Sequence, residues 1–141
     1  MKWSTALAVG LVVITTLQVP AQESIEGIWL TEEKDTKVEI YQNNGVYYGK
    51  IVWLNQATDS NGSPITDRNN PNKALRSRQL MGTNILEDLQ YRGGTWYGKI
   101  YAPKRGLKTD AVLVPEGTDT LKLTITYRGF TRQQIWIRSN L

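Results

Sequence analysis

The feature that most constrains the fold is a series of short segments in which apolar and polar residues alternate, with turn residues between them at intervals of about 8 to 12. Alternation with a period of two is typical of β-strands that have one buried face. We count about eight such segments by this pattern, and they lie at 27–31, 37–41, 46–54, 84–91, 95–101, 109–114, 120–126 and 130–138. Because closing such a sheet removes its exposed edges, the pattern predicts an all-β, antiparallel barrel that is closed or nearly closed.

A repeat within the chain predicts which side chains point inward. Residues 45–51 (GVYYGKI) match residues 94–100 (GTWYGKI). Because side chains alternate across a strand, we assign these residues to the barrel interior: Tyr47, Ile51, Trp53, Trp96 and Ile100. The opposite face then carries an outer set of aromatic and basic residues: Tyr48, Lys50, Tyr97, Lys99 and Tyr101. This outer set is a candidate surface for a protein partner.

The first residues have the composition of a secretory leader. Lys2 precedes an apolar run over residues 6–17, and small residues follow at Val19-Pro20-Ala21. The run is shorter than the roughly 18 residues that a membrane-spanning helix needs, which disfavours the alternative of a retained anchor. We therefore expect a signal peptide at residues 1–21 that is cleaved after Ala21. Residues 22–141 would then form a single β-barrel domain that is exported, either to the periplasm or as a secreted protein.

Two residue types are missing from the chain, which has no cysteine and no histidine. Without cysteine, the chain cannot form disulfides. Without histidine, it lacks the commonest general base, the usual metal ligand and the base of both the Ser-His and Cys-His nucleophile pairs. The net charge of +4 comes without a tract of basic residues, so we do not expect a nucleic-acid partner. We expect no cofactor, no metal and no catalytic residue. A carboxylate-dependent hydrolase stays open as an alternative, because glycosidases need only two carboxylates and Asp59 and Asp67 lie near the predicted mouth.

The irregular segment at residues 55–81 is long for a connection inside a compact domain, and such segments usually form lids or binding loops. We expect an ordered flap over one barrel mouth, with a helical turn at 73–78. Paired arginines suit a carboxylate or phosphate group. The candidate ligand-binding residues of this flap are therefore Asp67, Asn70, Arg76 and Arg78. The alternative is that Asp67 and an arginine only hold the loop on the barrel. A calcium site formed by Asp59, Asn61 and Asp67 also stays open, although the EF-hand spacing fails.

The two ends of the predicted barrel carry motifs suited to closing it. Gly27-Ile28-Trp29 opens the first strand and Trp136-Ile137-Arg138 ends the last. These motifs resemble those of lipocalins and other calycins, in which the arginine packs across the tryptophan at the closed end. The resemblance implies that Trp29 and Arg138 close the barrel, with a guanidinium–indole attraction of roughly 0.5 to 2 kcal/mol.

A second set of motifs lies in the long loop and beside it: Asp67-Arg68-Asn69-Asn70-Pro71, Leu75-Arg76-Ser77-Arg78 and Met81-Gly82. Together with Tyr48-Gly49-Lys50-Ile51 and Gly98-Lys99-Ile100-Tyr101, they resemble the bacterial family called domain of unknown function 2147 over nearly the whole chain after the leader. The last third departs from it, since Ala102-Pro103 stands where the family has Asp-Pro. The resemblance implies a lipocalin-like barrel in the bacterial envelope and brings no settled activity or cofactor.

Ligand binding is the function that a barrel of this size favours, because its interior is either filled by side chains or holds one small ligand. We expect a small hydrophobic or amphipathic ligand in the barrel or at its mouth, contacted by the four loop residues and by Tyr47, Trp53 and Trp96. The alternative is a non-enzymatic interaction or structural protein that uses the outer set. The free volume inside the barrel distinguishes the two hypotheses.

Overall fold

The computed structural model describes residues 2–18 and 23–141. Eight antiparallel strands follow one another in the described part of the chain: β1 (Gly27–Leu30), β2 (Thr36–Asn43), β3 (Val46–Leu54), β4 (Asn84–Arg92), β5 (Thr95–Ala102), β6 (Leu107–Pro115), β7 (Thr120–Tyr127) and β8 (Phe130–Ser139). Each strand pairs with the next, and β8 pairs with β1, so the sheet is a closed barrel. The predicted all-β barrel is confirmed, and each predicted strand boundary lies within two residues of the observed one.

The segment before the barrel has a different character. Residues 2–18 have no regular secondary structure, and their side chains are exposed. The predicted cleavage site at Val19-Pro20-Ala21, with the following Gln22, lies outside the described residues. Within residues 2–18 and 23–141, the structure has no helix with the length and apolar character needed to cross a membrane.

Successive strands run in opposite directions, so the connections divide between two ends of the barrel. The end formed by residues 24–26 and by the β2–β3, β4–β5 and β6–β7 turns is called the closed end below. The open end carries the β1–β2, β5–β6 and β7–β8 turns and the long loop between β3 and β4. A short 3-10 helix (Lys73–Leu75) within this loop occupies part of the predicted helical turn.

The closed end is joined by contacts between the first and last strands. Trp29 lies opposite Arg138 in the ladder between β1 and β8, and the guanidinium carbon of Arg138 lies 4.3 Å from the centroid of the indole ring. The guanidinium also donates to the carbonyl oxygens of Thr118, at 2.6 Å, and Glu26, at 2.8 Å. Trp29 Nε1 donates to the carbonyl oxygen of Ile25 at 2.8 Å, and both residues are fully buried. These contacts hold the segment before β1 against the last strand.

Large apolar side chains fill the closed half of the barrel. Trp96 is fully buried, and its ring centroid lies 4.3 Å from that of Tyr47 and 5.1 Å from that of Tyr91. Further fully buried residues of the same core are Leu89, Leu113, Leu121 and Leu123. Because buried aromatic and leucine side chains carry most of the apolar area removed from water, this half supplies much of the hydrophobic stabilisation.

A β-bulge changes which side chains of β3 point into the barrel. Ile51 pairs with Val38, but Trp53 pairs with Lys37, so Val52 is an extra residue in the ladder. Beyond a bulge the alternation of faces shifts by one residue. Trp53 consequently lies on the outer wall, where the ammonium of Lys37 lies 5.3 Å from its ring centroid, and Leu54 packs against the core instead. The prediction that Trp53 points into the barrel was therefore wrong.

Candidate binding site at the open end

A cavity of about 360 Å³ lies in the open half of the barrel. Its apolar wall comes from several strands and from one residue of the long loop: Ile51, Leu54, Leu80, Ile85, Ile100, Leu107, Ile125 and Trp136. All of these residues are buried or half-buried. The volume falls within the range of small-molecule pockets, which are lined mainly by apolar side chains and a few polar ones.

Five charged residues surround the cavity mouth, and four of them form ion pairs. Glu33 lies 3.3 Å from Arg132, and Asp35 lies 2.6 Å from Lys104. Burial raises the pKa of Asp35, but hydrogen bonds from Lys104, Thr36 and Thr31 outweigh it and hold that pKa below its usual range. The bond to Asp35 raises the pKa of Lys104. Arg105 also lines the mouth and has no ion pair among the described residues.

The structure places the aromatic residues predicted to contact a ligand away from this cavity. Tyr47 and Trp96 pack against each other in the closed half, and Trp53 lies outside the barrel. Trp136 and Ile125 line the cavity instead, and neither is among the residues predicted to contact a ligand. The signal for Ile125 was present, because it continues the inward alternation of Leu121 and Leu123 along β7.

The long loop is ordered by a buried polar network centred on Asp67. The carboxylate of Asp67 is completely buried and accepts hydrogen bonds from the Tyr101 hydroxyl at 2.6 Å and from the Asn70 amide at 2.7 Å. Arg78 donates to the same carboxylate through Nε, at 2.9 Å, and forms an ion pair through Nη2, at 2.8 Å. A buried carboxylate needs several such partners to offset the loss of hydration.

The network changes the acidity of two of its members. Burial raises the pKa of Asp67, but the hydrogen bonds from Tyr101, Asn70 and Arg78, together with the charge of Arg78, outweigh it, so the pKa lies below the usual range. Burial and the neighbouring carboxylate raise the pKa of Tyr101 to about 12. At neutral pH, Asp67 is therefore ionised and Tyr101 is a neutral donor.

Tyr101 does not belong to the exposed outer set. It pairs with Lys108, whose ammonium is on the outer wall, but the loop covers it and leaves it 4% exposed. The strand pattern alone placed Tyr101 outside because the loop residue that binds it, Asp67, is 34 positions away in the chain. The prediction that Tyr101 is available to a protein partner was therefore wrong.

The other predicted loop residues also hold the loop. Asn70 accepts a hydrogen bond from the backbone N–H of Asn72 at 2.9 Å, across Pro71, and Arg76 Nε donates to the carbonyl oxygen of Asn70 at 2.7 Å. None of Asp67, Asn70, Arg76 and Arg78 lines the cavity. Their observed contacts are within the loop and to Tyr101, and their contact with a ligand stays a prediction.

The loop is fixed against the neighbouring β5–β6 turn. The Asn69 side-chain amide donates to the carbonyl oxygen of Lys104 at 3.0 Å. Gly106 approaches so closely that a Cβ atom there would overlap the carbonyl oxygen of Asn69. The loop thus forms one side of the open end and contributes Leu80 to the cavity wall. It positions the turn that carries Lys104 and Arg105.

The two loop carboxylates serve separate networks. Asp59 is exposed and accepts hydrogen bonds from the backbone N–H groups of Asn61, at 2.8 Å, and Ser63, at 3.0 Å. Asp67 is buried against Tyr101. Among the described residues there is no group of three or more histidine, cysteine, aspartate or glutamate side chains arranged to hold a metal ion.

The remaining outer set is exposed or half-buried, and its lysines have acidic neighbours. Lys50 lies 3.4 Å from Glu39, and Lys99 forms an ion pair with Asp110. Tyr48 stacks on Tyr41, and the guanidinium carbon of Arg92 lies 4.3 Å from the ring centroid of Tyr97. Both cations of this set are thus neutralised within the same wall.

Comparison with known proteins agrees with this architecture. Residues 27–138 match the family described as "Uncharacterized protein conserved in bacteria (DUF2147)". Protein HP1028 from the human pathogen Helicobacter pylori, described as belonging to the lipocalin family, has a similar solved structure. The TM-score is 0.70 and the sequence identity is 27%, over 83% of this chain and 84% of that one. No curated protein matches the chain.

Proposed function

The chain belongs to the DUF2147 family and has a lipocalin-like barrel, and from this premise we propose that it binds one small apolar or amphipathic molecule in the open half of the barrel. The observation that carries the proposal is the cavity of about 360 Å³. At roughly the 30 Å³ that a water molecule takes in the liquid, this volume holds on the order of a dozen non-hydrogen atoms.

The position of the cavity supports binding rather than a packing defect. Apolar side chains line its interior, and charged residues lie only at its mouth. This arrangement lets an apolar group be buried while a polar end stays in contact with water and with the mouth. The loop network fixes the turn that carries Lys104 and Arg105, so part of the mouth is formed before a ligand arrives.

Binding without catalysis is the activity that these groups support best. The two carboxylates at the mouth, those of Glu33 and Asp35, are each paired with a cation. The two loop carboxylates bind donors in separate networks. A carboxylate pair for glycoside hydrolysis needs both groups to face one substrate bond.

A matched pair of substitutions tests the cavity as the binding site. Ile125 lines the cavity, whereas Ile135 is 38% exposed on the neighbouring strand and does not line it. Ile125→Trp fills part of the volume, and Ile135→Trp adds the same bulk outside. Isothermal titration calorimetry with decan-1-ol should give binding to wild type and Ile135→Trp, with a negative heat-capacity change. Binding to Ile125→Trp should be weaker by about ten-fold or more.

Two results would count against this site. Equal weakening by both substitutions would place the alcohol elsewhere. An absence of heat from wild type at two well-separated temperatures, with any medium-chain alcohol, would remove the binding proposal. Circular dichroism and thermal melting of both variants serve as controls for folding.

We also propose that the protein is exported to the periplasm or secreted after cleavage of residues 1–21. The support is the basic residue and apolar run at its start, Lys2 and residues 6–17. Intact mass spectrometry of the protein from its native cell fractions should give a chain that begins at or beside Gln22. A chain that retains the leader would contradict the proposal.

A further inference from the structure

Five charged side chains line the cavity mouth, and their pairing leaves one positive charge without a partner. Glu33 and Arg132 form one ion pair, and Asp35 and Lys104 form the other. Arg105 is the fifth, and it has no ion pair within residues 2–18 and 23–141. The five charges at the mouth therefore sum to a net charge of about +1, and the Arg105 guanidinium contributes the unpaired positive charge.

The backbone that carries Arg105 is held on both sides. The N–H groups of Arg105, at 3.1 Å, and Gly106, at 2.9 Å, donate to the carbonyl oxygen of Ala102. The preceding carbonyl, that of Lys104, accepts the Asn69 amide of the long loop. An arginine on a fixed turn loses less conformational entropy on binding a ligand than one on a mobile loop, and its planar fork suits two oxygens of one group.

We propose, on the basis of the proposed function, that the ligand is a single-chain amphiphile with an anionic carboxylate or phosphate head, and that Arg105 binds this head at the mouth. The apolar chain then extends past Leu107 and Ile125 toward Trp136. A cationic head meets repulsion from Arg105, because both nearby carboxylates are already paired. An anionic head pairs with Arg105 without breaking either existing ion pair.

Two probes that differ only in the head separate this proposal from cavity binding in general. Dodecanoate and dodecan-1-ol share the same apolar chain, and both are used below the concentration at which they aggregate, at pH 7.5. The variant is Arg105→Gln. The matched control is Arg92→Gln, which removes a guanidinium that lies over Tyr97 on the outer wall, beside the closed end. Dodecyl phosphate is titrated in parallel to compare the two anionic heads.

Calorimetry should show that Arg105→Gln weakens dodecanoate binding about ten-fold and leaves dodecan-1-ol binding within about two-fold. Arg92→Gln should change neither. Added sodium chloride should weaken dodecanoate binding to wild type and have less effect on Arg105→Gln, because screening acts on the charge pair. Arg105→Lys, which keeps the charge but loses the fork, should give an intermediate affinity.

The outcomes distinguish the role of Arg105 from ligand binding in the cavity. If dodecan-1-ol binds and Arg105→Gln leaves dodecanoate binding unchanged, or weakens both probes equally, the role of Arg105 is overturned while cavity binding stands. If, in addition, added sodium chloride does not weaken dodecanoate binding to wild type, the anionic-head assignment also fails. If neither probe binds to wild type, the proposed function itself fails.

Discussion

The two ends of this barrel are stabilised by different forces. At the closed end, Trp29 and Trp96 are fully buried within an apolar core, and Arg138 joins the first and last strands. At the open end, the interior is hollow, and a buried carboxylate at Asp67 organises the long loop. The comparison shows how one small barrel can hold an empty volume: the closed half supplies the apolar stabilisation, and hydrogen bonds fix the wall around the cavity.

This division predicts that the largest loss of stability comes from the closed end. Trp29→Ala should lower the free energy of unfolding by about 3 to 5 kcal/mol, because it empties a packed core position. Trp53→Ala is the matched control, since Trp53 lies on the outer wall over Lys37, and it should cost about 1 kcal/mol. Urea unfolding followed by circular dichroism gives both values. Equal losses of unfolding free energy from the two substitutions would show that the hydrophobic core is not concentrated at the closed end.

The second prediction concerns the carboxylate that organises the open end. Asp67→Asn should cost about 2 to 3 kcal/mol, because it removes the charge that Arg78 and Tyr101 surround. Asp110→Asn is the control, because the Lys99–Asp110 pair is exposed, and it should cost less than about 1 kcal/mol. The same unfolding experiment applies. A larger effect at Asp110 would contradict the distinction between buried and exposed pairs.

The pH dependence of stability gives a further test of the role of Asp67. The pKa of Asp67 is lowered in the folded protein, so its stabilising contribution is present above the unfolded value of about 3.9 and is lost as the pH falls through the folded value. The stability difference between wild type and Asp67→Asn should therefore be constant from neutral pH to about pH 5 and shrink below about pH 4. A difference that grows on acidification would mean that the carboxylate is protonated in the folded protein.

Substitutions at two turn glycines test the steric crowding at the open and closed ends of the barrel. Gly106 and Gly117 both have positive φ, of 63° and 73°, but only Gly106 faces a backbone atom, the carbonyl oxygen of Asn69. Alanine at either position carries the penalty of about 1 kcal/mol for a left-handed backbone. Gly106→Ala should cost about 2 kcal/mol more, because the loop must shift. Faster amide hydrogen exchange at residues 67–71 in Gly106→Ala alone would show that the loss of stability arises in the long loop. Identical melting curves for the two variants would contradict the prediction of a larger cost at Gly106.

The smallest expected effect is at Tyr101, whose hydroxyl donates to Asp67. Tyr101→Phe should cost about 1 kcal/mol at neutral pH. Because the pKa of Tyr101 is raised to about 12 in the folded protein, its contribution is complete below the unfolded value of about 10 and is lost as the pH rises toward 12. The stability difference between wild type and Tyr101→Phe should shrink over that interval. A difference that persists at pH 12 would mean that the bond does not depend on the proton of Tyr101.

The strands were predictable because each is defined by local alternation, and the first and last carried recognisable motifs. The orientation of Trp53 was not, because the bulge at Val52 leaves the sequence pattern unchanged while shifting the face of every later residue in β3. Arg138 was expected to act through the ring of Trp29. Its hydrogen bonds to the carbonyl oxygens of Thr118 and Glu26 depend on how the closed-end segments meet, and no side-chain pattern encodes them.

The site was less predictable than the fold, for a related reason. Alternation shows that Trp96 and Trp136 both point inward, but their height along the barrel axis depends on strand tilt and stagger. Trp96 therefore fills the closed half while Trp136 lines the cavity. Arg105 lies in a turn with no periodic signal, and its position at the mouth follows from the contact between the turn and the loop residue Asn69.

The pairing of β1 with β8 is the barrel contact that joins the strands farthest apart in the sequence. The bond from Arg138 to the Glu26 carbonyl joins positions 112 residues apart, so closing the barrel carries a loop-closure cost that no neighbouring hairpin shares. A nascent chain that has not yet released Phe130–Ser139 has seven strands and two unpaired sheet edges. Such edges favour association with other chains. We therefore expect barrel closure to be slower than the formation of neighbouring hairpins, and deletion of β8 to yield oligomers rather than a smaller barrel.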